Sequence, residues 1–553
     1  KRPFLPLIPI LLLAFGLRLH ALGNQSMWWD ELKTIERATL PLPALLTDFI
    51  NTRDQLPAYY LLMRGWIQLG NNAFIVRLFS LLWGVLGVTA VFQLGRQIGS
   101  TKVGVTAAFL LAISPFHIYY SQEARMYSLL VTLIILAHVG LVAVLQKNNS
   151  GTIWNTENRK DDAENRRGIK GGGFSKISVY LCGISAKLCV AFPTCTVINK
   201  KRYWLLYFLT MATAVYTHYF TFLILFAHAI FFILHLRPLK PISYYWFGLM
   251  ALLAALFTPW IIMIVNRSGY SEAVPVWINT AQWYEPILTL WTFTIGATLS
   301  RRSLAGVVGF AIFMLGLLSS RHIVQQQSKH KSIIAKLLLL WLLVPLLFIY
   351  LISLGNGSFS LYMDRYLIIV LPIYLLLVAW GWVHLTKNRL GWLLGFGLIA
   401  TAVTVPSLLN LYNNPAFARN DWQSLINYID TDQNENYLVL GEDTLRLPIS
   451  YYGNERFQRI QIPPPESDQI TAAFDTIMEK QLTVAAQSNR LVWYIEPFYI
   501  FHPHGNPEQR NERVTSEVDN PTQMWLKSRF TLLEEAQFTG IRITLYDISD
   551  AAP

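Results

Sequence analysis

The chain has 553 residues, of which 53% are hydrophobic and only 14% are charged, and its mean hydropathy is +0.36. This composition excludes an ordinary soluble domain, and repeated apolar runs of about 20 residues predict a polytopic membrane protein. The net charge of +12 does not indicate nucleic-acid binding, because residues 1–412 hold 34 basic and 13 acidic residues whereas residues 413–553 hold 11 and 20. A basic excess confined to the apolar part is typical of cytoplasmic loops between membrane spans.

The apolar runs, oriented by Lys and Arg in the connecting segments, predict about eleven transmembrane helices. The N-terminus is expected inside and the C-terminus outside. The expected spans are 3–22, 73–95, 103–120, 127–146, 203–217, 219–236, 243–265, 304–320, 337–353, 366–386 and 390–411. In this topology residues 1–412 form a membrane domain, and residues 23–72 form its first outer loop.

The first outer loop opens with Trp28-Trp29-Asp30-Glu31. Indole rings anchor at the membrane interface, so they place Asp30 where a lipid-borne and a water-side substrate can both reach it. A partly dry setting and a neighbouring acid both favour a raised pKa, as a general base needs. The alternative is a solvated pair of loop acids.

Asp54 begins a second cluster in the same loop, in which Pro57 stiffens a turn and Tyr59-Tyr60 start an apolar run. We interpret Asp54 either as a second carboxylate that faces Asp30 across a groove or as a loop residue that caps a helix.

Glu123 and Arg125 stand two residues apart in the connection between the third and fourth spans, and Tyr127 follows them. A charge at the centre of a membrane helix costs about 2.5–3.5 kcal/mol unless it is paired or lines a wet cavity. Two opposite charges among polar neighbours therefore favour a functional site over a simple interfacial anchor.

Arg77, at the start of the second span, and Arg365, before the tenth, are cations on the same outer side as Arg125. A guanidinium group suits phosphate because it offers a fixed fork of donors and stays charged at any working pH. One such arginine alone is more often a snorkelling anchor. Three on one side favour an anion site.

His218 lies at the outer turn between the fifth and sixth spans. It is a candidate substrate contact or metal ligand, although a lone histidine is more often a hydrogen-bonded packing residue.

Residues 147–202 interrupt the apolar pattern and are expected to form a cytoplasmic insertion. It holds all three cysteines of the chain, in a Cys-x6-Cys-x5-Cys arrangement that lacks the close pairing of a zinc site. A poorly packed or disordered segment is the better interpretation.

Residues 413–553 change to a soluble pattern. Helix-like segments at 419–431, 466–487 and 521–530 alternate with strand-like segments at 437–440, 491–495 and 541–545. This alternation predicts a small α/β domain with a partly parallel sheet on the outer side.

Several motifs together resemble GT-C glycosyltransferases of family 39, a group similar to protein mannosyltransferases and lipid A aminoarabinose transferase. The motifs are Trp29-Asp30-Glu31, Asp54–Leu62, Phe74–Ser80, Ser114–Tyr127, Tyr216–Phe220 and Asp364–Leu367. The resemblance implies a polytopic α-helical GT-C membrane protein of the bacterial cytoplasmic membrane, with an extracytoplasmic C-terminal domain.

The same resemblance implies inverting transfer of a hexose or pentose from a polyprenyl-phosphate sugar donor to a lipid, glycan or protein acceptor. Asp30 would be the base, with Glu31 or Asp54 orienting it. The three arginines would bind the donor phosphate, and the expected substrate contacts are Tyr59, Tyr60, Glu123, Tyr127 and His218. No cofactor is specified, although the acidic loops could hold a divalent cation.

Two other classes of function stay open from the residues alone. A transporter or flippase of a lipid-linked substrate would also need buried charges, but the acids gather on one side rather than at the bilayer midplane. A receptor or scaffold would use the outer domain and leaves the acidic first loop unexplained.

Overall fold

The computed structural model describes ten ranges of the chain. They are 5–52, 55–147, 200–265, 281–326, 329–354, 360–430, 437–462, 472–487, 490–497 and 520–549. Asp54 and most of the predicted insertion at 147–202 lie outside the described residues.

The described residues before residue 414 are largely helical. In chain order the helices are α1 (Leu7–Leu19), α2 (Trp29–Thr39), α3 (Leu42–Thr52), α4 (Pro57–Trp66), α5 (Ala73–Ile98), α6 (Thr101–Ile113), α7 (Pro115–Ser121), α8 (Tyr127–Lys147), α9 (Lys200–Val215), α10 (Thr221–Leu234), α11 (Lys240–Val265), α12 (Glu285–Ile295), α13 (Leu304–Gln326), α14 (Lys329–Ser353), α15 (Leu371–Leu385) and α16 (Leu390–Asn413). A 3₁₀ turn at Leu367–Val370 leads directly into α15.

Six helices in the described part of the chain are long and apolar enough to cross a membrane, and a bent pair makes a seventh. The six lie in α5, α8, α11, α14, α15 and α16, and the bent pair is α6 with α7. The predicted number of eleven transmembrane helices is therefore not confirmed. Helices α1, α10 and the apolar part of α13 are shorter, and α9 begins with three basic residues. At 1.5 Å per residue, the 13 residues of α1 fall short of the roughly 30 Å hydrocarbon core of a bilayer.

The core of the membrane part is built around α8 and α15, whose side chains are almost all buried. Helices α5, α6, α9 and α13 pack around them, whereas α11 and α16 leave most of their apolar side chains exposed. At Gly381 on α15 an added Cβ would lie 1.8 Å from the carbonyl oxygen of Gly316 on α13. This close backbone approach needs glycine at the contact, as is typical of packed membrane helices.

The bend of 64° between α6 and α7 has a local cause. Pro115 has no N–H, so the carbonyl of Leu111 loses its helical donor. Arg18 of α1 replaces it, donating to the carbonyl oxygens of Leu111 at 3.0 Å and Ala112 at 2.9 Å. The bend directs the end of α7 and the following loop, residues 122–126, toward the first loop of the chain.

The first loop, residues 23–72, folds largely into α2, α3 and α4. Buried Leu32, Ile35 and Ala38 recur at helical spacing along α2 and pack it against the rest of the protein. Pro57 stands at the first position of α4, where its missing N–H costs nothing. The next residue, Ala58, donates its N–H to the carbonyl oxygen of Tyr216 at 2.9 Å, which joins this loop to the turn before α10.

The C-terminal part forms a five-stranded sheet with helices on its faces. Its elements are α17 (Trp422–Ile429), β1 (Tyr437–Gly441), α18 (Arg446–Tyr452), β2 (Phe457–Gln461), α19 (Ala472–Ala486), β3 (Leu491–Pro497), α20 (Pro521–Arg529), β4 (Thr531–Phe538) and β5 (Ile541–Asp547). The strand order is β2-β1-β3-β5-β4, with β1 parallel to both β2 and β3, and β5 antiparallel to both β3 and β4. The partly parallel sheet was predicted, but β2 and β4 were not. Both are edge strands with few buried side chains, so they lack the apolar signal of the buried strands.

Candidate active site

Two adjacent acids begin α2, and they have opposite environments. Trp28 precedes the helix in an extended conformation, and Asp30 and Glu31 fall in the first turn, where carboxylates are favoured by the helix dipole. The side chain of Glu31 is 0% exposed, whereas that of Asp30 is 22% exposed. One carboxylate is therefore sealed in the protein while the other is open to a ligand.

Glu31 is the centre of a buried ion cluster. Arg77 on α5 donates to both of its oxygens, at 2.9 Å from Nε and 2.8 Å from Nη2. The backbone N–H of Ala124 donates at 2.8 Å, and Arg419 donates to Oε2. Burial alone would raise the pKa of Glu31, but the two arginines outweigh it and hold this pKa at about 2. Glu31 is thus a permanent anion that fixes the surrounding segments.

Arg77 is fully committed to this cluster. Its remaining N–H groups donate to the carbonyl oxygens of Leu22, Gln25 and Ser26, at 3.0, 2.8 and 3.1 Å. All five guanidinium donors therefore have protein acceptors. The structure places Arg77 beneath the first loop, where it has no donor left for a phosphate.

Asp30 faces two other arginines. Its Oδ2 lies 3.6 Å from Nη2 of Arg125 and 3.9 Å from Nη1 of Arg365. These are ion-pair distances but are longer than hydrogen bonds, so the carboxylate is attracted to both cations without being closed off by them. Asp30 lies in α2, Arg125 in the loop before α8 and Arg365 in the turn before α15. The fold brings these three segments together.

Aromatic side chains surround these cations. Tyr60 accepts a hydrogen bond of 3.1 Å from Nη1 of Arg125, and the guanidinium of Arg365 lies 5.1 Å from the ring centre of Tyr366. Tyr127 packs edge-on against Tyr120 at 4.8 Å. These rings give the site an apolar wall and a limited set of hydroxyl groups.

Tyr59 lies behind Tyr60 rather than beside the open carboxylate. Its side chain is 0% exposed and contacts the rings of Tyr60 and Phe79 at 5.6 and 5.9 Å. Burial raises the pKa of Tyr59 well above its ordinary value, so its hydroxyl stays protonated. This geometry gives Tyr59 a packing contact with Tyr60, which itself contacts Arg125.

His218 lies at another side of the site, and its imidazole ring is neutral. Burial, reinforced by Arg125 and Arg365, lowers the pKa of His218 to about 3. Its Nδ1 accepts the backbone N–H of Phe220 at 3.1 Å, which leaves the proton on Nε2. Its ring centre lies 5.6 Å from that of Tyr366.

Glu123 has an unusual environment for a carboxyl group. It is 1% exposed, and neither side-chain oxygen has a hydrogen-bond partner among the described residues. Burial raises the pKa of Glu123 to about 7; Arg419 opposes the rise, and Glu31 and Asp30 reinforce it. An unsatisfied buried acid of this kind is a common feature of functional sites.

The structure therefore brings together Asp30, Arg125, Arg365, Tyr60 and His218 from distant parts of the sequence. It moves Arg77 and Glu31 into a supporting ion cluster, and the predicted role of Asp54 falls outside the described residues. Arg419, between α16 and α17, was missed by the sequence analysis. Its local sequence offers no signal, because an arginine at the start of a soluble segment is normally a surface residue.

No group of three or more His, Cys, Asp or Glu side chains within the described ranges is arranged to hold a metal ion.

The chain is similar to known proteins in two ways. A family model described as dolichyl-phosphate-mannose-protein mannosyltransferase matches residues 54–155. No curated protein sequence matches the chain.

Among solved structures, ArnT from Cupriavidus metallidurans in the apo state aligns over 99% of this chain and 98% of its own, with a TM-score of 0.57 and 9% identity. ArnT bound to undecaprenyl phosphate aligns over 99% of both chains with the same score and identity. At this identity the likeness establishes the fold. The resemblance to GT-C glycosyltransferases is confirmed: residues 54–155 match the mannosyltransferase family model, and the described residues have a fold similar to that of ArnT.

Proposed function

We propose that this protein is a membrane glycosyltransferase that moves a sugar from a polyprenyl-phosphate donor to an acceptor, with Asp30 as the base. The observation that carries the proposal is the open Asp30 carboxylate at 3.6 and 3.9 Å from the guanidinium groups of Arg125 and Arg365. A proton acceptor and two phosphate-binding cations at one point are what such a transfer needs.

In the proposed reaction the acceptor hydroxyl gives its proton to Asp30 as its oxygen attacks the anomeric carbon. The bond between that carbon and the phosphate oxygen breaks, and its electron pair stays on the phosphate. Attack from the face opposite the leaving phosphate inverts the anomeric carbon. Arg125 and Arg365 stabilise the charge that grows on the phosphate.

The ion-pair distances allow Arg125 and Arg365 to attract Asp30 and also to bind the donor phosphate. Arg125 and Arg365 both attract the Asp30 carboxylate, at distances longer than a hydrogen bond. A donor phosphate that takes over the two guanidinium groups would release Asp30 to accept a hydrogen bond from the acceptor hydroxyl. Donor binding would in this way prepare the base.

The remaining predicted residues take supporting roles in this proposal. Tyr60 fixes Arg125 by its hydrogen bond, and the neutral His218 and the ring of Tyr127 line the site. Burial raises the pKa of Glu123, which favours its protonated form and suits it to donate a hydrogen bond to a sugar or phosphate oxygen.

We place the site at the extracytoplasmic face of the bacterial cytoplasmic membrane, with the C-terminal α/β domain on the same side. Support comes from the distribution of basic residues in the sequence and from the fold shared with ArnT, of which one structure holds undecaprenyl phosphate. The acceptor class is a lipid, glycan or protein hydroxyl that reaches this face.

The test is turnover of a polyprenyl-phosphate sugar, radiolabelled in the sugar, by the purified protein in lipid nanodiscs with candidate acceptors. We expect the label to leave the polyprenyl lipid and to appear in the acceptor, and Asp30→Asn to prevent this. In sealed vesicles, movement of intact labelled lipid across the bilayer without transfer would instead establish a flippase and overturn the proposal.

A further inference from the structure

The segment that opens the C-terminal domain reaches into the candidate active site. We infer that Arg419 is a positioning residue for Asp30, so that the α/β domain is a working part of the site rather than a separate attachment. This inference rests on the proposed function for its kinetic test but on contacts alone for its structural test.

Glu31 accepts four hydrogen bonds, and their donors come from two parts of the chain. Three of its four hydrogen bonds come from the membrane part, two from Arg77 and one from the N–H of Ala124. The fourth comes from Arg419, which lies 388 residues away along the chain. The buried carboxylate next to Asp30 is thus completed by a residue outside the membrane helices.

Arg419 is itself held in place on the membrane part. It is 8% exposed, and its guanidinium carbon lies 5.7 Å from the ring centre of Tyr119 on α7. A guanidinium between a carboxylate and an aromatic face has little freedom, because ion pairing and cation–π attraction both act on it. Arg419 therefore links the first turn of α2 to α7, the helix that precedes Glu123 and Arg125.

Further contacts between the α/β domain and the first loop flank this link. The N–H of Met27 donates to the hydroxyl of Tyr452 at 2.7 Å, and the N–H of Gln423 donates to Oγ of Ser26 at 3.1 Å. Arg446 pairs with Glu36 at 2.6 Å near the far end of α2. Ser26 and Met27, just before α2, are consequently held by the α/β domain close to Asp30, whereas the more exposed Arg446–Glu36 pair lies at the other end of the helix.

The position of Glu31 determines that of Asp30, because the two are consecutive in one helical turn. Their side chains leave the helix about 100° apart. When Glu31 is pinned between Arg77 and Arg419, the Asp30 carboxylate is directed toward Arg125 and Arg365. Loss of the Arg419 contact would let the first turn of α2 shift. A displacement of a catalytic group by about 1 Å can lower the rate by about 100-fold.

The kinetic test compares Arg419→Ala, Arg419→Lys and the control Arg446→Ala, which removes a more exposed ion pair to the same helix. We expect Arg419→Ala to lower kcat by about 10- to 100-fold with KM for the donor little changed. Arg419→Lys should recover part of the loss because it keeps the charge, and Arg446→Ala should stay near wild type. Equal kcat for Arg419→Ala and wild type would overturn the inference, as would an equal loss in both alanine variants.

A double variant separates action through Glu31 from general damage. If Arg419 acts through Glu31, then Glu31→Gln combined with Arg419→Ala should be no slower than the slower single variant. Losses that multiply would mean that Arg419 acts elsewhere.

Hydrogen exchange followed by mass spectrometry tests the contact without any activity. Amides at 29–33 should exchange faster in Arg419→Ala than in wild type and Arg446→Ala, while β1, β3 and β5 keep their protection. Unchanged exchange at 29–33 would overturn the inference. Faster exchange without turnover in the wild type would instead leave Arg419 as a link to α2 and refute only the proposed enzyme.

Discussion

Asp30 and Glu31 are consecutive residues whose carboxylates are held by two different pairs of arginines. Glu31 accepts hydrogen bonds from Arg77 and Arg419 and is fully buried, whereas Asp30 stands 3.6 and 3.9 Å from Arg125 and Arg365 and is partly open. Two carboxylates in one helical turn thus serve different roles, one as a structural anion and the other as a candidate base.

Asp30→Asn should abolish sugar transfer, with a loss of at least about 100-fold, because a general base typically contributes about 10²–10⁴-fold. Its thermal stability should change little, since the side chain is partly exposed and its ion pairs are long. Glu36→Gln is the matched control, because it removes another acid of α2 outside the site and should keep turnover. Near-wild-type transfer by Asp30→Asn would remove Asp30 from the mechanism.

Glu31→Gln should lower the stability of the fold, in addition to any loss of kcat that follows from a displaced Asp30. It leaves two buried arginines with an incomplete partner, and breaking a buried ion pair typically costs about 3–5 kcal/mol. Glu36→Gln, which breaks more exposed pairs to Lys33 and Arg446, should cost no more than about 1 kcal/mol. Denaturant or thermal unfolding in detergent measures both. Similar stability of the two variants would contradict the assignment of Glu31 to a structural role.

The three arginines predicted to bind phosphate should divide into two groups. Arg125→Lys and Arg365→Lys should weaken binding of undecaprenyl phosphate by about tenfold or more, because lysine lacks the planar donor fork. Arg77→Lys should chiefly lower the melting temperature, because Arg77 donates only to protein groups. Isothermal titration with the lipid, alongside thermal unfolding, tests the division. A loss of lipid affinity in a stably folded Arg77→Lys would contradict it.

Glu123→Gln should change how stability depends on pH. The pKa of Glu123 is raised from 4.5 to about 7 in the folded protein, so folding favours the protonated form. Its stabilising contribution is present below pH 4.5 and is lost as the pH rises through about 7, with a limit of about 3 kcal/mol from the size of the shift. The variant should therefore gain stability over wild type at pH 8 but not at pH 4.5. Unfolding curves with the same pH dependence for both proteins would contradict the raised pKa.

The sequence by itself determined the membrane class, the acidic first loop and the C-terminal α/β segment, and it singled out most residues of the candidate site. These are local properties: apolar runs, charge distribution and short motifs such as Trp29-Asp30-Glu31 are readable without the fold. The bend at Pro115 shows the limit of such patterns, since the motif is visible but the arginine that stabilises the bend, Arg18, lies in another helix.

Only the tertiary structure decided which of the two acids is accessible and which arginines lie beside it. Arg77 and Arg125 are both arginines next to predicted membrane spans on the outer side, so the sequence does not distinguish them. In the structure Arg77 donates to Glu31 and three carbonyl oxygens, whereas Arg125 faces Asp30. Arg419 joins Glu31 across 388 residues of chain. Such partners are selected by the packing of whole helices and domains, because burying a charge is favourable only where the opposite charge and the hydrogen-bond donors converge on it.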